Sequence, residues 1–333
     1  MNTFPVRRLP AALTIAALGL VTLSACATTP TSGASTTDAA DTAITVENCG
    51  SEVTLTAPAR RIVLVNNDSL PNLEALHAVD RVVALTSTVQ PGLYDDSTYT
   101  TLDSLDLLST EKNATGGSIV SQESILGARP DLVIAPENAV DRSALAASGI
   151  AVYTPSAYCA NPDPESSEPA TFDRVWSELR TLGTLLGEND QAEQVVAQGT
   201  ASLGSDAPDA GTAAALYVSS GGSVLSPYGG PSMVTPVFAA AGLTNVYADS
   251  TERVFDANVE DIISRDPATI VLLYSSGEPK DVIDSFMSAP GVSGLSAVQG
   301  GRVVALQFAY TDPPSMLSIA GPQQLRELLA TLP

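Results

Sequence analysis

The chain has 333 residues, 44% of them hydrophobic and 16% charged, with 15 Lys and Arg against 37 Asp and Glu for a formal net charge of −22. That length and composition fit two globular domains. The acidic balance argues against nucleic acid as a partner, because that binding rests on neutralising phosphates with Lys and Arg. A single His and three Cys argue against a resident metal, since such a site needs several His, Cys or carboxylate ligands held together.

The first 26 residues carry Arg7 and Arg8, an apolar run over 11–23, and then Leu23-Ser24-Ala25-Cys26. The run is too short to span a bilayer and reads as a secretory signal over 1–25. Removing it takes away two Arg and no acid, so 13 basic residues face 37 acidic ones and the net charge becomes −24. The ending resembles a bacterial lipobox, which implies cleavage before Cys26 and lipid, palmitate included, on that thiol. Residues 26–43 are mostly Thr, Ser, Ala and Asp, with little to bury, and read as a flexible tether.

Export decides how the other two cysteines are read. Cys49 and Cys159 lie in polar segments beside turn residues, and outside the cytoplasm two such thiols pair, so a disulfide is expected.

From residue 44 two short strands turn at Cys49-Gly50, and then strands and helices alternate. The pattern predicts strands over 61–65, 82–85, 132–135 and 150–153, with helices over 69–78, from Glu123, and over 142–147. A polar loop rich in Asp, Thr and Gly precedes Glu123. Residues 171–206 form a helical joint. Phe172, Val175, Trp176, Leu179, Leu182, Leu185 and Leu186 recur at steps of three and four, one buried helical face with Thr171 as its N-cap and Gly187 as its stop. The second half, from Asp190 to Leu203, predicts a helix crossing between two bodies. Beyond it come strands over 213–218, 245–247, 269–274 and 302–306, and helices over 233–241, 259–264, 281–288 and 315–332.

One unit recurs on either side of the joint. Glu123-Ser-Ile-Leu-Gly-Ala-Arg-Pro130-Asp-Leu-Val-Ile and Glu260-Asp-Ile-Ile-Ser-Arg-Asp-Pro267-Ala-Thr-Ile-Val share a seven-residue step from Glu to Pro. Each reads as a short helix with an acidic start, a Pro-containing turn and a buried parallel strand. The expected fold is α/β, with two doubly wound αβ lobes at 44–170 and 207–333, bridged by a long helix, and a ligand cleft between the lobes beyond the carboxyl ends of the strands.

These residues resemble a known family. Arg61-Ile-Val-Leu-Val, the run from Leu76 and His77 to Ala84, the Glu123 to Ile134 motif, Leu182-Gly183-Thr-Leu-Leu-Gly187 and the Glu260 copy are similar to the substrate-binding lipoproteins of ABC importers for ferric siderophores, haem and cobalamin. The resemblance covers essentially all of the mature chain. It implies an extracytoplasmic, lipid-anchored binding protein on the outer face of the cell membrane, working with a permease and its ATPase. It also implies two lobes that move little on binding, and surface glutamates at Glu123 and Glu260 that dock to arginines of the permease. His77 stands where the family commonly has Gly and is read as structural rather than as a haem or metal ligand.

The cleft is assembled from the loops at 66–69, 86–94, 136–138, 158, 219–228, 274–277 and 308–312. Asn67, Tyr94, Tyr158, Tyr228, Tyr274 and Tyr310 are the candidate ligand residues, the tyrosines offering faces that pack and hydroxyls that bond. Arg253 is the cationic candidate beside Arg142, with Lys112 and Lys280 behind. An enzyme is argued against by the lone His and the lack of a nucleophile elbow, a phosphate loop or a paired-carboxylate motif. No catalytic residue and no cofactor is assigned. So few basic residues suit a hydroxamate-type ferric siderophore better than a triply anionic catecholate. Haem or cobalamin is the alternative ligand, and a non-transport surface lipoprotein the rival function.

Overall fold

The apolar runs and the helical segments between them form an alternating α/β chain in the computed structural model, which describes residues 43–109, 111, 118–160, 164–204, 207–218 and 225–333. The signal, Cys26 and nearly all of the tether lie outside the described residues, as do Lys112 and residues 219–224. Strands β1 (Ile44–Asn48) and β2 (Ser51–Leu55) pair antiparallel about Cys49 and Gly50, whose φ values of 53° and 70° give the tight turn of a two-residue hairpin. Next come β3 (Ile62–Leu64), α1 (Leu70–Ala75), β4 (Val82–Leu85), α2 (Asp96–Asp103), α3 (Gln122–Ala128), β5 (Leu132–Ile134), α4 (Arg142–Ala147) and β6 (Ala151–Tyr153). Helices α5 (Asp173–Leu186) and α6 (Asn189–Ser202) form the joint. The second half holds β7 (Gly211–Val218), β8 (Leu225–Pro227), α7 (Val234–Ala240), β9 (Leu243–Asn245), α8 (Val259–Arg265), β10 (Thr269–Tyr274), α9 (Pro279–Met287), α10 (Ser296–Gln299), β11 (Val303–Gln307) and α11 (Met316–Leu329).

The first sheet has the order β4-β3-β5-β6, all parallel. In the second, β11-β10-β7 continues to β9, which is parallel to β7, and to the antiparallel β8 on the same edge of β7. Counted along the chain, the parallel strands of both sheets therefore stand in the order 2-1-3-4. In such sheets the chain reverses direction beside the first strand, and a crevice opens at that strand's carboxyl end. Here that position belongs to β3 and β7.

The repeated unit has the same local construction in each half. Ser121 caps α3 by accepting from the Ser124 N–H at 3.1 Å, and Asn258 caps α8 by accepting from the Asp261 N–H at 2.9 Å. Each helix ends on a left-handed residue directly before the shared Pro, Arg129 with φ 50° and Asp266 with φ 43°. In the first copy the Asp131 carboxylate accepts from the N–H groups of Arg60 (2.8 Å) and Arg61 (3.0 Å), while Arg61 donates to the Arg129 and Ala128 carbonyls, both at 2.8 Å. The motif thus locks the end of α3 to the start of β3.

Helix α5 ties the halves together. At its start the Ala170 N–H reaches the Gly230 carbonyl at 2.9 Å, and Arg174 donates to the Pro231 carbonyl at 2.6 Å. At its end the Leu185 carbonyl accepts from the Ala59 N–H at 2.9 Å, and Arg81 donates to the Leu186 carbonyl at 2.7 Å and pairs with Glu188. Its buried face is the predicted one: Val175, Trp176, Leu179, Leu182, Leu185 and Leu186. Gly187, with φ 70°, ends it as expected. The N-cap is Phe172 rather than Thr171; the Thr171 hydroxyl still accepts from the Asp173 N–H at 3.3 Å. Helix α6 runs back along α5, with Gly199 against the Trp176 ring.

Three elements were not expected. The polar loop before Glu123 contains α2, whose Thr and Asp residues form helices poorly; it is held instead by the buried Thr98 and Leu102 and by the bond from the Thr98 hydroxyl to Glu74 at 2.6 Å. Short β8 and α10 carry no periodic signal of their own.

Cys49 and Cys159 are joined, with Cα atoms 5.3 Å apart and a sequence separation of 110. A loop of that length predicts that reduction, or Cys→Ser at both positions, lowers stability by about 2–4 kcal/mol. Urea unfolding with and without reductant checks it.

Candidate functional site

The carboxyl end of β3 leads directly into Asn66-Asn67-Asp68, and this segment meets residues from every quarter of the chain. The Asp68 carboxylate accepts from the Tyr158 hydroxyl at 2.5 Å and from Asn66 Nδ2 at 2.7 Å. The Tyr158 ring lies under the guanidinium of Arg253, 5.4 Å from its centroid. Arg253 pairs with Asp312, a carboxylate only 1% exposed whose other oxygen accepts from the Met233 N–H at 3.1 Å. Asp68 and Tyr158 come from loops of the first sheet, Arg253 and Asp312 from loops of the second, so the network spans the cleft.

Each member is placed by its local structure. Tyr158 ends a single 3-10 turn, Ser156–Tyr158, after β6. That turn is fixed from two sides: Cys159 is bonded to Cys49, and the buried Glu178 of α5 accepts from the Ser156 N–H at 2.6 Å and from the Tyr153 hydroxyl. Burial pushes the Glu178 carboxyl up, with those bonds opposing. Arg253 stands on a strand-like segment beside β8, where the Gly229 N–H donates to the Arg253 carbonyl at 3.0 Å. Gly229 and Gly230 permit this approach, since a Cβ on either would collide with the carbonyl oxygen of Glu252 or Ala248.

Aromatic groups surround the network. The Tyr94 loop is held by Tyr99 of α2, whose hydroxyl accepts from the Leu93 N–H at 2.9 Å and donates to the Gln90 carbonyl at 2.6 Å, with the two tyrosine rings edge to face at 5.9 Å. Phe308 packs against Tyr217 and Tyr228 at 6.2 and 6.1 Å. Burial, with Asp68 adding to it, pushes the phenols of Tyr94 and Tyr158 up, and burial does the same to Tyr228 and Tyr310. All stay neutral hydrogen-bonding groups at physiological pH. Beside Arg253 and Asp312 opens a recess of about 540 Å³ with Ser156, Ser166, Thr171, Arg174 and Ser177 on its walls.

A sequence profile of the periplasmic binding protein family matches residues 62–310. The chain belongs to that family. A crystal structure of the ABC-type Fe3+-hydroxamate transport system of Saccharomonospora viridis DSM 43017 is 33% identical, with a TM-score of 0.76 over 85% of this chain and 98% of that one. At lower identity the fold alone is shared with two others. The periplasmic catecholate-siderophore binding protein of Vibrio cholerae is 16% identical, with a TM-score of 0.61 over 87% of this chain and 99% of that one. A periplasmic haem-binding protein of Pseudomonas aeruginosa is 21% identical, with a TM-score of 0.59 over 82% and 92%. Among curated proteins none matches the chain. The resemblance read from the sequence thus holds at the level of the family, which is one of solute-binding proteins; the chain is not an enzyme.

Within this family fold, the structure brings Tyr158 and Arg253 together at the cleft, with Tyr228 close enough to feel Arg253, Asp312 and Asp68, and Tyr94 close enough to feel Asp68 and Tyr310. Asn67 sits beside them, donating to the Ser87 and Thr88 carbonyls at 3.3 and 3.0 Å. The Tyr274 ring packs in the cluster with Phe286 and Leu272 on the α8–α9 side of the second sheet, while its hydroxyl bonds Gln307 and is close enough to feel Tyr310. Arg142 is not a free cleft cation. Its guanidinium bonds Asn48 and the Val152 carbonyl, tying the hairpin to β6. Lys280 pairs with Asp284 on the surface. Glu123 and Glu260 are both exposed, at the second position of α3 and of α8. His77 is exposed and left-handed, with φ 54°, where α1 ends.

Sequence reasoning named the loops that hold Asp68 and Asp312 but neither residue. Asp68 sits just past an apolar strand end, a usable signal; Asp312 is marked only by its long-range partners.

Burial raises the Asp68 carboxyl to about 6; the Tyr158 bond lowers it, Asp312 raises it and Arg253 lowers it. The folded state therefore holds a proton that the unfolded chain has already lost between about pH 4 and 6. Stability falls as pH rises through that window and stays lower above it. Asp68→Asn is expected to stabilise the ligand-free protein by about 1–3 kcal/mol at pH 7.5, and by progressively less towards pH 4. Urea unfolding across that range measures it, and a gain independent of pH would contradict it.

Proposed function

We propose that the chain is an extracytoplasmic solute-binding lipoprotein, anchored through Cys26 to the outer face of the membrane, that delivers a ferric siderophore of the hydroxamate type to an ABC permease and its ATPase. The observation that carries the ligand class is the state of Arg253. It is the cation of the cleft network, and its charge is already met by the buried Asp312. A triply anionic ferric catecholate would enter a site that has, among the described residues, no uncommitted cluster of cations to receive it, and burying that charge unpaired is prohibitive. The neutral phenols of Tyr94, Tyr158, Tyr228 and Tyr310 instead offer faces and hydroxyls to a complex of low charge. The 33% identity to the Fe3+-hydroxamate transport system protein supports the same reading.

Titration followed by quenching of Trp176 and tyrosine fluorescence tests the ligand class. A ferric tris-hydroxamate is expected to bind at least about tenfold more tightly than a ferric tris-catecholate, haem or cobalamin, a gap of about 1.4 kcal/mol. Equal or tighter binding of any of the other three overturns the assignment.

The membrane-side part is tested in cells. Glu123 and Glu260 occupy equivalent, exposed first-turn positions in the two copies of the repeat, where a carboxylate can pair with permease arginines at modest desolvation cost. Reversing either charge should lower iron-complex uptake, and reversing both should abolish it, with affinity in solution unchanged. Cys26→Ser should release the protein from the membrane. Loss of solution binding in the glutamate variants would place them in the cleft or the fold instead.

A further inference from the structure

Asp68 is only half used by the protein. Its Oδ2 receives both Tyr158 and Asn66, while among the described residues nothing donates to Oδ1. Beside it Asn67 commits its amide N–H2 to two carbonyls, which fixes the orientation of the side chain and leaves a buried Oδ1 without a donor. Two neighbouring acceptors at the carboxyl end of β3 thus lack a protein donor among the described residues, and the buried one, Asn67 Oδ1, costs the free energy of its lost hydration.

Among the described residues no cation fills this role. The groups around Asp68 are Asn66 on its own loop, Tyr158 and Tyr94 from the first sheet's loops, and Arg253, Asp312 and Tyr228 from the second's. Arg253 is engaged by Asp312, and at Asp68 the charge of Asp312 opposes that of Arg253. Arg174, next to that pair, donates to the carbonyls of Pro231, Ser166 and Glu168. The phenols are neutral. Asp68 therefore carries a negative charge that the cleft leaves unmatched.

We propose that Asp68 makes the cleft selective for a cationic iron complex, one whose organic scaffold carries an ammonium group, with the Asp68 carboxylate and the Asn67 side-chain carbonyl receiving its N–H donors. The inference rests on the hydroxamate reading and adds the second element that such a ligand must present. A hydrogen bond between an ammonium and a carboxylate is about twice as strong as a neutral one, and a part-buried carboxylate with no cation of its own rewards it further. Preference for the cation tracks the ionised form of Asp68. It is present at pH 7.5 and fades as the pH falls below about 6 and the free protein takes up a proton there.

The test uses two linear ferric tris-hydroxamates, one with a terminal ammonium and one with that amine acetylated, so that iron coordination is kept and one charge is removed. Both are titrated into the mature protein at pH 7.5 and pH 5. The cationic complex is expected to bind about tenfold more tightly at pH 7.5, with the gap closing to within about threefold at pH 5. In Asp68→Asn the ratio of the two affinities at pH 7.5 should fall to within about threefold, whatever the affinity of either complex alone. Equal affinities in the wild type at pH 7.5 overturn charge selection and leave the hydroxamate reading standing. Failure of both complexes to bind overturns the hydroxamate reading and this inference with it. A folded Asp68→Asn in which the cationic complex keeps its tenfold advantage over the acetylated one would also overturn the proposal. Should that variant not fold, the wild-type series decides alone, and a gap undiminished at pH 5 is the contrary result.

Discussion

The carboxylate of Asp312 is almost fully removed from water, and an ionised group there costs several kcal/mol unless it is paired and hydrogen-bonded. Meeting that requirement fixes three segments at once. Arg253 is drawn in from the loop after β9, the Met233 N–H is presented by the start of α7, and the chain before α11 is held where both can reach it. Arg253, so placed, covers the face of Tyr158 from the other sheet, and Tyr158 commits its hydroxyl to Asp68. The arrangement of the cleft network is therefore built around one buried charge.

The two halves explain each other through their repeat. Strand order, the polar N-cap, the left-handed residue before Pro and the buried third strand all correspond. The halves differ in the loops they send into the crevice. After β3 the chain places Asn66, Asn67 and Asp68 there, whereas the second half contributes Arg253 and Asp312 from loops after its second and fourth strands. A shared scaffold thus presents acceptors from one side and an already neutralised ion pair from the other.

The alternation of strands and helices was legible because each strand of the first sheet is a short, fully or nearly fully buried apolar run, and the starts of α3, α4, α8 and α11 carry polar caps. Thr269–Tyr274 and Arg142–Ala147 fall where the pattern puts them. Helix α2 was not legible, because its sequence favours a loop and its order comes from Glu74 and from the packing of Leu102. At the site, Tyr158 and Arg253 could be named from composition and position. Asp68 and Asp312 could not be ranked above their neighbours, because their importance lies in partners 90 and 59 residues away in sequence. Arg142 misled for the same reason: a lone basic residue near a strand end looks free until Asn48, 94 residues earlier, is seen to hold it.

The seam between the halves is itself a core. Met233 and Ile319 of the second half lie in the same buried cluster as Leu70 and Leu73 of the first and Trp176 of α5, and Asn72 of α1 accepts from the Met316 N–H at 3.0 Å at the start of α11. With α5 anchored at both ends as well, wide opening would expose this cluster and break those bonds, at a cost that grows with the apolar area uncovered. Residues 41–333 accordingly form one compact unit. A ligand then meets groups whose positions and charges are settled beforehand, and little of its interaction energy goes to ordering them. Under that constraint discrimination falls to the fixed features of the cleft. The phenols, held neutral by burial, tolerate many shapes, and the paired Arg253 offers little to an anion. The unmatched Asp68 is left as the group that distinguishes one ligand charge from another.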